Sequence, residues 1–199
     1  SSLPKPVATP LIPSLLEMSS IFLRAWETRL CAASELFFKL MSPLLYYVNL
    51  KLSIFPKADS FEKYEKLNLR DKLEIRDKLY KRIDLLDQFI VENPGGFAGE
   101  ELEIIAGWKK FVKGKFFIER YLKKYSIFID DDKVYAVLAV NQSFEDIIPK
   151  EYLPAYVETV LLPFKGIIIY DGFLLRTNVF FGGNYKFSLK ETYMSAKQK

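Results

Sequence analysis

Apolar residues recur along this chain in two rhythms, and the change between them divides it. From Ser14 to about Leu40 they fall at three- and four-residue steps, through Ile21, Phe22, Ala25, Trp26 and Leu30, with Arg24, Glu27, Glu35 and Lys39 interrupting the stripe. That spacing is the period of an amphipathic helix. Leu36, Phe37, Phe38, Leu40 and Met41 make its far end apolar nearly all round, which predicts burial there. Pro43 lacks the N–H that a helix uses, so it is expected to break or kink the run, with Leu44–Asn49 continuing as a second short segment. Ser53–Pro56 reads as a loop.

Asp59/Ser60 opens the clearest helix, and Asp59 with Glu62 has the spacing of a capping box. Leu79, Ile83, Leu86 and Ile90 step 4-3-4 along one face, preceded by Phe61, Tyr64, Leu69 and Leu73. The near-repeats LRDK (Leu69–Lys72) and IRDK (Ile75–Lys78) assign their charges to a solvated face carrying weak ion pairs. Asn93-Pro94-Gly95-Gly96 ends this helix. Gly99–Val112 repeats the helical pattern through Leu102, Ile105, Trp108 or Lys109, and Val112, and Gly114 closes it.

The rhythm then changes. Lys115–Leu122, Tyr125–Asp130 and Lys133–Val140 read as strands, with Asp130-Asp131-Asp132 at a turn. Ser143–Ile148 reads as a single helical turn. Val157–Phe181 is the densest run of strand formers in the chain. Within it, Ile167–Tyr170 and Phe173–Phe180 are expected to pair antiparallel across Asp171-Gly172, with Val157–Leu162 beside them. Gly182-Gly183-Asn184 reads as a turn, and Ser188 with Glu191 as a second capping box opening a closing helix, Leu189–Lys197.

Helices followed by strands predict an α+β fold. An N-terminal helical half (14–113) packs on a C-terminal, mainly antiparallel sheet or partial barrel (114–199) that ends in the closing helix. Ser1–Pro13, with Pro4, Pro6, Pro10 and Pro13, reads as an extended or disordered leader. The two halves are treated as one packed unit.

Composition narrows the chemistry. There is no histidine, which removes Ser-His-Asp and Cys-His catalysis and every histidine metal motif. The single Cys31 excludes an intramolecular disulfide framework and a cysteine zinc site, and fits a reducing, cytoplasmic compartment. The first residues, SSLPKPVATPLIPSLL, lack the basic region and unbroken apolar run of a signal peptide. Leu40–Leu50 contains Pro43 and is too short to span a bilayer, so no membrane association is expected. No glycine-rich phosphate cradle occurs. Asp130-Asp131-Asp132 has no downstream acid at ligand spacing and reads as a solvated turn, and Asp171 as the turn residue of its hairpin. No cofactor, metal or catalytic residue is assigned.

One segment stands out in charge. Residues 109–124 carry seven basic residues against the single acid Glu119, although the whole chain is only +4. Aromatic residues are interleaved with them. The candidate binding set is Trp108, Lys109, Lys110, Lys113, Lys115, Arg120, Tyr121, Lys123 and Lys124. Lysines neutralise phosphate and aromatics stack on bases, so the set suits RNA or single-stranded DNA; it equally suits an acidic protein partner. The bland alternatives are helix-end lysines answering the macrodipole and charged residues guarding an edge strand.

The series TVLLPFKGIIIYDG from Thr159 to Gly172, followed by NVFFGG and SLKETY, resembles the C-terminal part of a group of bacterial proteins of unassigned activity that share an LPFKG/YDG/FGG/SLKE-Y pattern. The segment WKKFVKG at Trp108–Gly114 is weakly similar as well. The resemblance implies a bacterial domain and carries no catalytic residue with it. The first functional expectation is a non-enzymatic protein-interaction or regulatory domain of a bacterial defence, stress-response or transcription-regulatory complex. The second is an RNA- or DNA-binding module using residues 108–125. The third is a histidine-free nuclease-like toxin in which Glu119, Arg120 and a tyrosine do the acid–base and electrostatic work.

Overall fold

The computed structural model describes residues 20–177 and 183–197, with side chains described from 32 to 177 and from 186 to 197. The proline-rich leader, the start of the expected first helix (14–19), the far end of the expected strand Phe173–Phe180 (178–180), Phe181, Gly182 and the side chains of Trp26 and Cys31 lie outside the described residues.

The first helix, α1 (Ser20–Leu52), runs through Pro43 without a break. Proline removes one backbone hydrogen bond, but Phe37, Leu40, Leu44, Leu45 and Val48 are buried on both sides of it. That burial offsets the lost bond and keeps one helix where two were expected. The long helix expected next is three: α2 (Phe61–Glu65), α3 (Leu69–Lys81) and α4 (Asp84–Glu92). Ser60, not Asp59, caps α2, accepting from Lys63 N. Asn68 interrupts the run because its side chain accepts from Asp71 N and caps α3. The 4-3-4 stripe survives the breaks, since Leu79 and Leu86 are both buried.

Helix α5 (Gly99–Gly107) passes through a 3-10 turn, Trp108–Lys110, into strand β1 (Val112–Tyr121). The strand therefore starts before Gly114, which lies inside it. Strands β2 (Ser126–Asp130) and β3 (Lys133–Leu138) follow as expected, then the short helix α6 (Phe144–Ile147), and then β4 (Ala155–Phe164), β5 (Ile167–Tyr170) and β6 (Leu175–Thr177). The last helix, α7, spans Gly183–Lys197, so Gly183 and Asn184 are helical and Ser188 is interior rather than a cap. The Ser188 carbonyl accepts from the Thr192 hydroxyl.

The strands run in the order β1-β2-β3-β5-β4, and β1 also pairs with β4, which closes a five-stranded barrel; β6 is appended to β4. All these pairings are antiparallel except β3 with β5. The tight hairpin is β4–β5, not the expected one. Lys165 and Gly166 have φ +48° and +79°, the two left-handed conformations that a two-residue primed turn needs. After Asp171-Gly172 the chain leaves β5 and pairs with the near end of β4. Gly172 (φ +86°) does turn the chain, but the Asp171 carboxyl points into the helical half instead of capping a hairpin.

Alternation along the strands separates two apolar clusters. Phe116, Ile118, Phe128, Val157, Leu162 and Ile169 share one continuous core with Phe37, Leu44, Ile75 and Phe89 of the helices. Phe37 contacts Trp108 and Phe164 edge-on, at ring-centre distances of 5.8 and 6.4 Å. The second cluster lies on the outside of the barrel under α7. Among the described residues no helix is long and apolar enough to cross a membrane.

Candidate functional site

The basic segment does not form one surface. Trp108 is 1% exposed and packs in the core, so its ring cannot stack on a ligand, contrary to expectation. It ends α5 on the apolar side of the helix, and the lysines after it take the solvent side. Lys109 pairs with Asp87 of α4. Lys113 pairs with Asp77 of α3 at 2.8 Å. Arg120 pairs with the neighbouring Glu119, donating Nη2 to Oε1 at 2.8 Å, and its guanidinium lies 4.3 Å from the Tyr193 ring centre. The Tyr121 hydroxyl donates to the Ile148 carbonyl at 2.6 Å, tying β1 to the end of α6. Lys110, Lys115 and Lys123 are exposed and have no ion pair among the described residues. Lys124 is half-buried in the β1–β2 loop.

The most unusual polar group lies elsewhere. Arg76 of α3 and Asp171 after β5 are both about 1% exposed. Nε stands 2.7 Å from Oδ2, close in distance but poorly aligned for a hydrogen bond, and Arg76 Nη2 has no hydrogen-bond partner. Asp171 Oδ1 accepts from Phe173 N at 3.2 Å. Arg76 Nη1 also pairs with Asp77 at 2.7 Å, and its guanidinium sits 5.3 Å from the Phe173 ring centre. The Tyr80 hydroxyl faces the Asp171 carboxylate.

Burial pushes the Asp171 carboxyl up to about 6, with Arg76 partly offsetting it. Burial also holds the Tyr80 hydroxyl well above its ordinary value. Half-burial raises Asp77 too, but Lys113 and Arg76 outweigh it and leave that carboxyl below the usual range. Sequence reasoning took Arg76 as part of a solvated face and Asp171 as a turn residue. The available signal was register: Arg76 and Tyr80 are four residues apart and flank the apolar stripe of Ile75 and Leu79. Its repeat mate Arg70 sits in the first turn of α3 and is exposed. Closed in on all sides, this cluster clamps the helical half to the barrel and offers no path for a substrate.

The outer face of the barrel carries a row of paired residues across four strands. Phe117 of β1 lies opposite Tyr156 of β4 on one side and Ile129 of β2 on the other, and Ile129 lies opposite Val134 of β3. Phe117 and Tyr156 are in ring contact, with centres 4.5 Å apart. Ile127, with Leu122 and Tyr125 beside it, extends the apolar area. Helix α7 covers this face through Leu189 and Tyr193, which are spaced i, i+4 and buried to 6% and 5% exposure. On the opposite side of the helix Phe187 and Met194 face solvent.

Asp131 takes a left-handed φ of +52° in the β2–β3 turn, as an Asp in a tight turn can. Among the described residues no group of three or more His, Cys, Asp or Glu side chains could hold a metal ion. Compared with protein-family models, with curated proteins and with solved structures, the chain matches none.

Proposed function

We propose that this protein is a non-enzymatic protein-docking domain, of a regulatory kind, that receives a helix of its partner on the outer face of the barrel. The observation that carries this reading is the Tyr156–Phe117–Ile129–Val134 row, with Ile127 beside it. It is a contiguous apolar stripe on the outside of a barrel whose interior is already filled. Aliphatic residues outnumber aromatic ones there, and a stripe of that kind suits the i, i+4 side chains of an amphipathic helix. Arg120, Lys115 and Glu158 border it and supply polar rim contacts. Among the described residues the fully buried acid, Asp171, is enclosed by Arg76, Tyr80 and Phe173.

A second reading is favoured by connectivity. A closed barrel in the order β1-β2-β3-β5-β4, with β3 parallel to β5, has the connectivity of the OB-fold, whose strand 2–3 face and first loop take oligonucleotides. Lys123 and Lys124 lie in that first loop. This is an analogy of fold, and fold alone does not carry function.

Selection from a phage-displayed library of helix-biased 16-residue peptides separates the two. The docking reading expects enrichment of peptides with apolar anchors four residues apart, lost in Phe117→Asp. The same preparation should leave fluorescein-labelled dT30 and U30 unbound in low salt. Salt-sensitive oligonucleotide binding that falls in Lys123→Ala/Lys124→Ala, with no peptide enriched, would replace the first reading by the second.

A further inference from the structure

We infer that α7 is an exchangeable self-ligand: it occupies, in its own chain, the place of the partner's helix, and its Leu189–Tyr193 pair is the template for the motif the partner carries. The inference rests on the docking reading above. It adds that the face is closed at rest and that the partner presents an aliphatic residue at one position and an aromatic residue four later, the latter set to receive the Arg120 guanidinium.

Among the described side chains, the hold on α7 is narrow. Of its side chains described from Lys186 to Lys197, only Leu189 and Tyr193 are buried. Burying two such side chains is a modest gain. Against this stands the ordering of a 15-residue helix, a length that is marginal in water by itself. Gly183, Ser188 and Thr192 are weak helix formers, which lowers the margin further. The cation–π contact of Arg120 with Tyr193 adds a third, partly exposed contact.

The surface beneath is better built than the cover. Phe117, Ile127 and Ile129 are 8%, 1% and 0% exposed and share one apolar cluster with Leu189 and Tyr193 of α7. Their backbones are fixed on both sides by the ladders of β1 with β4 and of β2 with β3. A rigid apolar stripe covered by a marginal helix is an arrangement in which a helix with more anchors displaces the resident one. On the solvent side of α7, Phe187 and Met194 are 63% and 44% exposed.

The probe is the synthetic peptide GNYKFSLKETYMSAK, residues 183–197, labelled at its N-terminus with fluorescein. Its anisotropy is followed against the full chain and against the full chain carrying Leu189→Asp and Tyr193→Asp. The expected result is binding to the variant at least tenfold tighter than to the unaltered chain, abolished when Phe117→Asp is added. The milder Leu189→Ala/Tyr193→Ala pair should give the same order with a smaller gain, and amide exchange in β1–β3 reports that each variant keeps its barrel.

Equal binding to variant and unaltered chain overturns the inference, as does failure to bind a variant whose barrel is intact. The library-selected helices separate this failure from that of the docking reading. If they bind the unaltered chain as tightly as the variant, the face is open and α7 is no competitor, while the docking reading stands. If the α7 peptide binds the variant but no selected helix binds either chain, α7 is only the permanent cover of its own barrel, and the docking reading falls and takes the inference with it.

Discussion

Replacing Arg76 with methionine tests what fastens the helical half to the barrel. The side chain is 1% exposed and has Asp171 at 2.7 Å from Nε and Asp77 at 2.7 Å from Nη1. Methionine keeps much of the volume and removes the charge. Asp171 then loses its one close cation, and an unpaired buried charge costs about 3–5 kcal/mol. In a chain of this size each kcal/mol lowers Tm by about 2–4 °C, so a drop of about 10 °C is expected at pH 7.

The loss has a pH signature. The Asp171 carboxyl already lies at about 6 with the arginine present; without it the carboxyl takes a proton more readily, and the penalty should shrink at pH 5. Asp171→Asn behaves differently, because it lifts the burial penalty while Arg76 keeps Asp77. Its cost at pH 7 should be small. Urea and thermal melts followed by circular dichroism, at pH 5 and pH 7, measure all of this. Asp171→Asn costing as much as Arg76→Met, with no relief at pH 5, would refute the reasoning.

Other outcomes follow from the same geometry. Asp171 has a folded pKa above the value of about 3.9 in an unfolded chain, so its contribution to stability is complete below about pH 4 and is lost as pH rises through about 6. The size is about 3 kcal/mol, and the difference in urea stability between Asp171→Asn and the unaltered chain should move by that amount in the variant's favour from pH 4 to pH 7. Gly166→Ala places a side chain at φ +79° in the β4–β5 turn and should cost about 1–2 kcal/mol in a urea melt, although nothing lies within 4 Å of the added Cβ. Trp108→Ala should cost about 3–5 kcal/mol and Lys109→Ala no more than about 1 kcal/mol, since the first empties a core position and the second breaks an exposed pair. Equal costs for those two would return Trp108 to the surface.

What was legible in the chain was periodicity. The α+β order, the strands β2, β3 and β5 and the buried far end of α1 all follow from spacing and turn residues. What was hidden depended on contacts between distant segments. Pro43 looks like a break until Phe37, Leu44 and Val48 bury both sides of it. Asp-Gly at 171–172 is the stronger local hairpin signal, yet Lys165-Gly166 makes the hairpin, because Asp171 is claimed by an arginine 95 residues earlier. The candidate set from Trp108 to Lys124 is contiguous in sequence but passes from a helix end through a strand to a loop. Successive side chains there point into the core, toward α3 and α4, or out to solvent, so adjacency in sequence gave no common surface. The apolar row on the barrel needed register across four strands, which no single stretch contains.

The parallel seam between β3 and β5 has a consequence for biogenesis. The barrel cannot shut until Ile168 and Ile169, each 31 residues after its partner, reach Val137 and Leu138. Until then the nascent chain holds a three-stranded meander with unsatisfied backbone groups along both borders, a template for association with other nascent chains. A ribosome stalled between β3 and β4 would release a sticky product, whereas a stop after β5 leaves the cylinder able to shut. Deletions that remove Ile168 and Ile169 should therefore cost solubility beyond what the loss of α7 alone costs.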